Sequence, residues 1–415
     1  MATVRIEVDG DEMDVSAEDS VAVALVRSGR WLLGRSVKYH RPRGPVCFRE
    51  RCEGCLMRVD GVPNVMTCRK PVRAGMKVET QNVVGSASFD LLSITDWAFP
   101  KGLDHHHMWT RFKPTNDLMK KIARRVAGVG TLPDKALPPQ EVEALRVDVV
   151  VVGAGYAGVA AANEVARCGA SVLLVDEARA RGGEARLLSA AGLEIEDEER
   201  IRLSPPVAYR RKTTALGVYR ERANGESLDG GIVLIHSAAG LCAVECSKLI
   251  VASGVTGEAV AFPGNDLPGV ITATGALVLL SRGVQAERVG LVGDGPLLGA
   301  LAGRLRRLGV QCHGPFPGSQ VQAHGKNKVE TLRVGEDEHR VDWVVAGAPP
   351  SAAGELAVQG GATMTWSDGG FFVDAADDGS TKSPFIFAIG SCTNRRGEAA
   401  LAQALAAARL ATRSM

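Results

Sequence analysis

Alternating apolar and polar residues near the start of the chain predict two β-hairpins separated by a helix. The stretch "VRIEVDGDEMDV" alternates with a period of two around a VDGDE turn, and "LMRVDGVPNVMT" does so around Asp60–Gly61. Between them, "SAEDSVAVALVRSG" has helical periodicity, with Ser16 as the expected N-cap and Gly29 closing the helix. These elements predict a small α+β module over residues 1–83.

From residue 147 onwards, apolar runs alternate with glycine turns and alanine-rich segments. The stretch "VDVVVVGAGYAGVAAANEVARCGASVLLVDE" predicts a strand, a tight turn, a helix and a second strand, which form the βαβ unit of a parallel sheet. A second strand–turn–helix follows in "RVGLVGDGPLLGALAGRLRRLGV", and "SPFIFAIGSCTNRRGEAALAQALAAARLA" predicts a strand, a loop and a closing helix. The predicted fold class is α/β with an α+β N-terminal module.

The order of these patterns resembles that of the two-dinucleotide-binding-domain flavoproteins. In that family a first Rossmann-like domain is interrupted by a second one and completed by the C-terminal segment. The resemblance implies a first nucleotide-binding domain over residues 146–260 and 365–415, and a second, reduced Rossmann-like domain over 261–364. Residues 84–145 have no strong period of their own and are expected to form a connector.

Glycines in the first βαβ unit form a dinucleotide-binding pattern. Gly153, Gly155 and Gly158 give G-x-G-x-x-G at the strand–helix turn, where a pyrophosphate can approach the helix N-terminus. Asp176 and Glu177 end the second strand about 20 residues later, where a carboxylate can bind an adenosine ribose. The other expected contacts lie at later turns: Gly182, Gly183, Ser253, Gly254, Gly390 and Ser391.

The identity of the bound nucleotide depends on one departure from the flavoprotein pattern. The last segment of such proteins usually contains Gly-Asp, whose acid holds the ribitol and phosphate region of FAD, and Ser391 takes the place of that acid here. FAD is expected on resemblance, with ATP, ADP or NAD as alternatives, because an ADP moiety can bind the first motif without a flavin. The second motif (Gly293, Gly295, Gly299) lacks a carboxylate after its following strand, so a scaffold role is predicted for it.

Four of the nine cysteines are clustered near the N-terminus. They are spaced C-x4-C-x2-C, then twelve residues, then C, and they are Cys47, Cys52, Cys55 and Cys68. This spacing is typical of a plant-type [2Fe–2S] cluster, and Gly54 lets the backbone pass close to the inorganic core. With the hairpins and helix, it predicts a β-grasp ferredoxin domain. A structural zinc site, a disulfide and unligated thiols are the alternatives.

Composition and charge exclude several other classes of protein. The formal charge of the 415 residues is +2, which gives no basis for nucleic-acid binding. The sequence has no apolar run of about 18 residues, so no transmembrane segment is predicted. Nine cysteines fit a reducing compartment, and a cytoplasmic location is expected, with a peripheral position on the inner face of the membrane as an alternative.

Several short strings extend a family resemblance over essentially the whole chain. They include "KYHRPRG" at 38–44, "FPKG", "RRVAGVG" and "LPGVITA". The chain resembles the α subunits of heteromeric sarcosine oxidase and dye-linked proline dehydrogenase, and the iron–sulfur/flavoprotein subunits of hydrogen cyanide synthase and opine oxidases. The resemblance implies an amino-acid-oxidase-like flavoprotein β subunit that oxidises the substrate, and an acceptor such as a quinone, oxygen or a carrier. It also allows a further small subunit and an FMN at a subunit interface.

The predicted function is that of an electron-transfer subunit in a flavin-dependent dehydrogenase or oxidase acting on CH–NH or CH–NH2 donors, such as sarcosine, proline, glycine or opines. The sequence contains no evident acid–base or nucleophilic constellation, so no catalytic residue is predicted. A self-contained NAD(P)H-dependent ferredoxin-type reductase is the first alternative, and it requires nicotinamide binding at the second glycine motif. A non-redox scaffold with ATP in the first site and zinc on the thiols is the second.

Overall fold

The computed structural model describes residues 2–36, 40–49, 51–83, 85–91, 114, 117, 121, 141–193, 198–221, 225, 227–257 and 259–413. The chain forms two compact units. Unit 1 contains Met1–Ala136 and Ala259–Ala348, and unit 2 contains Leu137–Glu258 and Pro349–Met415. Most of the predicted connector, 84–145, lies outside the described residues.

The elements are numbered in chain order. The N-terminal module contains β1 (Thr3–Val8), β2 (Asp11–Ser16), α1 (Val21–Arg27), β3 (Gly34–Arg35), β4 (Pro42–Arg43), β5 (Leu56–Val59), β6 (Val62–Met66) and β7 (Lys77–Glu79). The next segment contains β8 (Glu143–Val152), α2 (Tyr156–Arg167), β9 (Val172–Asp176), α3 (Gly183–Ala190), a 3-10 turn (Glu199–Ile201), β10 (Ala208–Arg211), β11 (Thr214–Glu221), β12 (Ser227–Ser237), β13 (Gly240–Val251) and β14 (Val255–Thr256).

The remaining elements follow the same numbering. The third segment contains β15 (Val270–Thr272), α4 (Ala273–Ser281), β16 (Arg288–Gly293), α5 (Pro296–Arg307), β17 (Gln311–Phe316), a 3-10 turn (Gly318–Gln320), β18 (Val321–His324), β19 (Thr331–Val334), β20 (Asp337–Arg340) and β21 (Trp343–Gly347). The last contains β22 (Ser351–Ala352), α6 (Glu355–Gln359), β23 (Met364–Ser367), β24 (Gly370–Val373), β25 (Ile386–Ala388), a 3-10 turn (Gly390–Thr393) and α7 (Gly397–Arg413).

The N-terminal module is a five-stranded sheet in the order β2-β1-β7-β5-β6, with helix α1 contributing its apolar side chains to the core. Strand β1 is parallel to β7, and the other pairs in this sheet are antiparallel. Both predicted hairpins are present, and the second turns at Asp60 and Gly61, which have φ of +51° and +81°. The sheet order and the crossing helix correspond to the expected β-grasp module.

The predicted start of α1 was wrong. Ser16 pairs with Thr3 at the end of β2, and Ser20 is the N-cap, whose hydroxyl accepts a hydrogen bond from the N–H of Val23 at 3.4 Å. A serine at a strand end and a serine at a helix start give the same local signal, and strand pairing decided between them. Gly29, with a φ of +86°, follows the helix as predicted.

The second Rossmann-like domain belongs to unit 1, together with the N-terminal module. Its parallel sheet has the order β15-β21-β16-β17, and a separate antiparallel sheet has the order β18-β19-β20. Apolar residues from both sheets form one core that includes Val292, Val344 and Leu332. Strand β15 is at the sheet edge, and the N–H of Thr272 at its end donates a hydrogen bond to the carbonyl of Val46 in the N-terminal module at 3.1 Å.

Unit 2 contains the first Rossmann-like domain, built on the parallel order β10-β9-β8-β13. On the far side of β13, two strands share its edge. Strand β12 pairs antiparallel with the first half of β13, and β25 pairs parallel with the last three residues of β13. Alternating residues of β8 face opposite cores: Val149 and Val151 face α2 and α7, whereas Val150 and Val152 face the other side. Burial on both faces explains why the strand is apolar at successive positions.

The first Rossmann-like domain resumes earlier than the expected residue 365. Unit 2 starts again at Pro349, β22 pairs with β14, and Ala357 and Ala362 are buried in its core. These short elements have the same apolar pattern as the domain before them, so the sequence alone could not assign them. The predicted α/β class with an α+β N-terminal module is confirmed. In the parts of the chain described above, no helix is both long enough and apolar enough to cross a bilayer.

Candidate cofactor sites

The four clustered cysteines lie on a loop and a strand end of the N-terminal module. The thiol loop, defined here as residues 44–49 and 51–55, precedes β5, and Cys68 follows β6. Cys47 and Cys55 are buried, whereas Cys52 and Cys68 are partly exposed. The Cys47 sulfur accepts hydrogen bonds from two backbone N–H groups of the loop, those of Arg49 at 3.4 Å and Arg51 at 3.2 Å.

Hydrogen bonds between thiols separate their pKa values. The Cys47 thiol lowers the pKa of Cys52 to about 5, and the same contact, together with burial, raises the pKa of Cys47. The Cys68 thiol lowers the pKa of Cys55 to about 7. Because the thiolate is the form that binds metal, Cys52 and Cys55 are the thiols most readily converted into ligands at neutral pH.

The thiols form two pairs, Cys47 with Cys52 and Cys55 with Cys68. Within the described residues, no group of three or more His, Cys, Asp or Glu side chains is arranged to hold a metal ion, so ligation of one cluster by all four thiols stays a prediction. None of the nine cysteines, all of which lie among the described residues, forms a disulfide.

The donor chemistry and the backbone of the thiol loop fit a [2Fe–2S] cluster. Cysteine thiolates are the ligands of such clusters, and N–H groups directed at the sulfurs donate hydrogen bonds to them. A Cβ at Gly54 would lie 2.2 Å from the carbonyl oxygen of Gly44, so only glycine fits there. Phe48, with a φ of +53°, holds the loop in a left-handed conformation that the sequence did not indicate.

The "KYHRPRG" string leads into the thiol loop, and its His40 forms a buried side-chain hydrogen bond with Asp90. His40 Nδ1 lies 2.6 Å from Asp90 Oδ2, and both side chains are buried. Arg35 Nη1 donates to the His40 carbonyl at 2.8 Å, which fixes the left-handed backbone of His40. The described part of this string therefore anchors the segment before the cysteines.

The glycine turn between β8 and α2 is shaped for a bound anion. A Cβ at Gly153, which has a φ of +106°, would lie 2.2 Å from the carbonyl oxygen of Ala252, and a Cβ at Gly158 would lie 1.8 Å from that of Gly153. Gly155 starts α2 without a capping side chain, and nothing lies within 4 Å of a Cβ built there. The first turn of α2 is therefore open to a phosphate.

The two acids after β9 are in different environments. The Asp176 carboxylate accepts hydrogen bonds from the backbone N–H of Ala154 in the glycine turn and from that of Ala178 at 2.7 Å. Glu177 beside it is exposed. Asp176 thus stabilises the turn, and both acids lie where an adenosine ribose is expected.

The later predicted positions converge on the same turn. Gly182 N–H donates to the Ala154 carbonyl at 2.9 Å, and a Cβ at Gly390 would lie 3.0 Å from that of Ala157 in the first turn of α2. A Cβ at Gly254 would lie 3.7 Å from Ser391 Oγ. The remaining two positions also lie next to the turn. A Cβ at Gly183 would lie 3.3 Å from the Cα of Gly155, and a Cβ at Gly153 would lie 3.2 Å from the backbone nitrogen of Ser253. The structure therefore brings all the predicted nucleotide-site positions together.

One supporting residue of this site was missed from the sequence. Gln403, buried within α7, accepts a hydrogen bond from the Gly390 N–H at 3.0 Å and donates one to the Ala376 carbonyl at 2.9 Å. It thereby holds the Gly390 turn against the first turn of α2. A single amide in the alanine-rich stretch "ALAQALAAARLA" was the available signal.

The second glycine motif forms a similar turn without the expected ribose partner. A Cβ at Gly293 would lie 2.1 Å from the carbonyl oxygen of Gly347, as in a dinucleotide-binding turn. In β17, however, the His313 ring stacks on His339 at 4.5 Å, and the Phe316 ring lies 5.8 Å from His339. Imidazole and phenyl rings take the place of a carboxylate there.

Two family models match the chain. A model of 2Fe-2S iron-sulfur cluster binding domains matches residues 1–83, and a model of pyridine nucleotide-disulphide oxidoreductases matches residues 147–314. The matches support the predicted iron–sulfur cluster and flavin. The choice of FAD over ATP, ADP or NAD and the presence of FMN stay predictions.

The relatives found by sequence are subunits of oxidoreductases. The sarcosine oxidase α subunit of Rhizobium meliloti is 31% identical over 298 residues, which cover 66% of this chain and 30% of that subunit. The hydrogen cyanide synthase subunit HcnB of Pseudomonas aeruginosa is 32% identical over 200 residues, covering 44% of this chain and 40% of HcnB. Opine oxidase A subunits also match. The predicted resemblance is confirmed, although the chain spans only 25–30% of the sarcosine oxidase subunits.

A solved structure has the same fold over nearly the whole chain. The L-proline dehydrogenase from P. horikoshii superposes with a TM-score of 0.71, covering 97% of this chain and 71% of that chain. The sequence identity is 20%, so the similarity shows the fold alone.

Proposed function

We propose that this chain is the electron-transfer subunit of a heteromeric, flavin-dependent amine or amino-acid dehydrogenase or oxidase. The observation that carries the proposal is the combination in one chain of a four-thiol ferredoxin module and a first glycine turn that is open to a dinucleotide. When bound, a flavin supplies two-electron chemistry and a [2Fe–2S] cluster supplies one-electron chemistry. Relatives named as subunits of sarcosine, cyanide-forming and opine oxidoreductases support a role in such a complex.

Two sets of residues would hold these groups. Cys47, Cys52, Cys55 and Cys68 would ligate the cluster, with Gly54 keeping the thiol loop close to it. The open first turn of α2 would bind the pyrophosphate of FAD, and the carboxylate of Asp176 or Glu177 would accept hydrogen bonds from the ribose hydroxyls. Ser391 offers a hydroxyl where related flavoproteins have an acid, so ADP-containing occupants other than FAD remain alternatives.

The partners follow from the same proposal. The substrate-oxidising site lies on an amino-acid-oxidase-like β subunit, which determines whether sarcosine, proline, glycine or an opine is oxidised. The electrons pass to a quinone, oxygen or a carrier. An FMN at the subunit interface, a further small subunit and a cytoplasmic or peripheral inner-membrane location complete the proposed assembly.

A self-contained NAD(P)H-dependent ferredoxin-type reductase is the second candidate. The match to pyridine nucleotide-disulphide oxidoreductases and the intact Gly293 turn favour it. The ring stack formed by His313 and His339 counts against it, because β17 offers no carboxylate for the adenosine ribose of the nicotinamide cofactor.

The test is a visible spectrum of the anaerobically purified chain before and after dithionite, with iron and flavin quantified on the same sample. We expect two irons per chain, as a [2Fe–2S] cluster requires, absorption that bleaches on reduction, and flavin released on denaturation. Bound zinc with no iron, even after cluster reconstitution, would refute the cluster. Rapid reduction by NAD(P)H without any partner would favour the second candidate.

Two serine variants separate ligation from a general thiol effect. Cys68→Ser removes a proposed ligand, and we expect it to lose the cluster spectrum. Cys168→Ser changes an exposed thiol at the C-cap of α2 and should keep the spectrum. Equal iron in both variants would contradict the assigned ligand set.

The proposed partner has its own test. A β subunit should co-purify with this chain, and it should oxidise an amine only in the complex.

A further inference from the structure

The first turn of α4, in the second Rossmann-like domain, lies directly on the thiol loop. Its Thr272 N–H donates to the Val46 carbonyl at 3.1 Å, and a Cβ at Gly275 would lie 2.5 Å from that same oxygen. The same Cβ would lie 3.3 Å from the ring of Phe48. These contacts fall on the residues immediately before and after Cys47.

Neighbouring contacts extend this interface to the start of the thiol loop. A Cβ at Gly44 would lie 2.8 Å from the Cβ of Pro268, which precedes β15. Arg43 Nη1 donates to Asp266 Oδ2 at 3.1 Å. The segment leading to Cys47 therefore contacts the residues that precede β15 and then Thr272 at the end of that strand, where α4 begins.

The glycine in α4 is explained by this contact. Alanine is a better helix former than glycine, so helix propensity alone would favour alanine at position 275. The hydroxyl of Thr272 accepts a hydrogen bond from the Gly275 N–H at 3.0 Å, which caps the helix and holds the turn in place. The absence of a Cβ at Gly275 then lets the Val46 carbonyl approach.

We propose that the second Rossmann-like domain is a dock for the thiol loop, in which Thr272 and Gly275 are positioning residues for Cys47. The carboxyl ends of parallel strands are where Rossmann-like domains bind dinucleotides, and the residues following β15 at that edge here contact a protein loop. The domain thus has a role that does not require a carboxylate for binding a ribose. The inference rests on the proposed function only in that the loop holds a cluster.

Displacement of this turn would move Cys47 relative to the other thiols. Outer-shell changes at metal sites commonly reduce metal affinity by about 10–100-fold. We therefore expect Gly275→Ala to lose cluster iron to a chelator about 10-fold faster than the parent chain, at the low end of that range. We also expect a shifted EPR spectrum of the reduced cluster.

Gly299→Ala is the matched control. Gly299 lies in α5 of the same domain, and nothing lies within 4 Å of a Cβ built there. This variant should retain iron and its EPR spectrum as the parent does.

A second pair of variants tests the hydrogen bond without a new Cβ at position 275. Thr272 has φ −73° and ψ 158°, which proline can adopt, so Thr272→Pro removes the N–H donated to Val46 as well as the capping hydroxyl. Thr272→Ala removes the hydroxyl alone. Faster iron loss in the proline variant than in the alanine variant supports the dock, and this comparison applies even if Gly275→Ala does not fold.

A readout without the cluster separates this inference from the proposed function. In the iron-free chain, alkylation of Cys47 by iodoacetamide, located by mass spectrometry, should be faster in Gly275→Ala than in Gly299→Ala, because Cys47 is only 7% exposed in the docked loop. Equal alkylation and equal iron retention in the two variants would overturn the dock. A parent chain that never binds iron but shows the alkylation difference would refute the proposed cluster and leave the dock intact.

Discussion

Glu164 gives the sharpest test of how the C-terminal segment completes the first nucleotide domain. This buried carboxylate on α2 accepts two hydrogen bonds from Arg167, both at 2.7 Å, and one from Arg409 on α7 at 2.6 Å. These bonds lower the pKa of Glu164 to about 2, mainly through the Arg167 guanidinium. The perturbation is Glu164→Gln, which keeps the side-chain volume and removes the charge.

The expected loss of stability follows from the pKa of Glu164 and from the solvent exposure of its two arginine partners. Lowering the pKa of a carboxyl from 4.5 to about 2 corresponds to about 3 kcal/mol of folded-state stabilisation. The side chains of Arg167 and Arg409 are 65% and 51% exposed, so solvent screens the attraction. We therefore expect Glu164→Gln to reduce the free energy of unfolding of unit 2 by about 1–2 kcal/mol at neutral pH.

The pH dependence has a defined sign. A carboxyl whose folded-state pKa is depressed stabilises the fold fully above its unfolded-state pKa, near 4.5, and loses that contribution as the pH falls towards 2. The difference in the free energy of unfolding between the parent chain and Glu164→Gln should therefore be constant from neutral pH down to about pH 5.5. It should become smaller below that pH.

Hydrogen exchange followed by mass spectrometry on peptides of α2 and α7 is the assay, because the two compact units need not unfold together. A loss of 1–2 kcal/mol corresponds to about 5- to 30-fold faster exchange. Glu199→Gln is the matched control, since Glu199 also pairs with an arginine three residues later, at 3.0 Å, but both side chains are 72% exposed. Similar exchange rates in the two variants would refute the stabilising role of the Glu164 carboxylate. So would a difference between the parent chain and Glu164→Gln that does not change with pH.

The remaining predictions concern the nucleotide site. Gly158→Ala should abolish retention of the nucleotide, because the new Cβ would lie 1.8 Å from the Gly153 carbonyl oxygen. Nucleotide released per chain on denaturation is the measurement, and retention equal to that of the parent chain would contradict the close packing of this turn. Gln403→Leu should weaken nucleotide binding about 10-fold or more, because the Gly390 N–H loses its hydrogen-bond partner at a cost of about 1–3 kcal/mol. Titration of the nucleotide-free chain with nucleotide checks this. An unchanged affinity would show that other groups hold the Gly390 turn.

The local elements of this protein were predictable because their signals are local. Alternation identified the two hairpins of the N-terminal module, and the Asp60–Gly61 turn follows from residues that tolerate positive φ. The βαβ unit followed from an apolar strand, three glycines and a terminal acid. The cysteine spacing predicted the candidate ligands, because ligand type and spacing are features of a short loop.

The limits of that prediction lie where one local signal fits two assignments and a tertiary contact decides between them. Ser16 and Ser20 were both suitable caps, and pairing of Ser16 with Thr3 chose between them. The segment from Pro349 has the apolar pattern of either Rossmann-like domain, and burial of Ala357 in the unit 2 core assigned it.

The sequence by itself determined the element types, the glycine turns and the candidate ligands, because backbone conformation and hydrophobic period are encoded in neighbouring residues. Only the tertiary structure decided that Val46 and Thr272 are hydrogen-bonded and that Gln403 supports Gly390. Such contacts depend on how separate elements pack against each other. Their residues are ordinary in their own segments and acquire a function only through the partner that the fold brings to them.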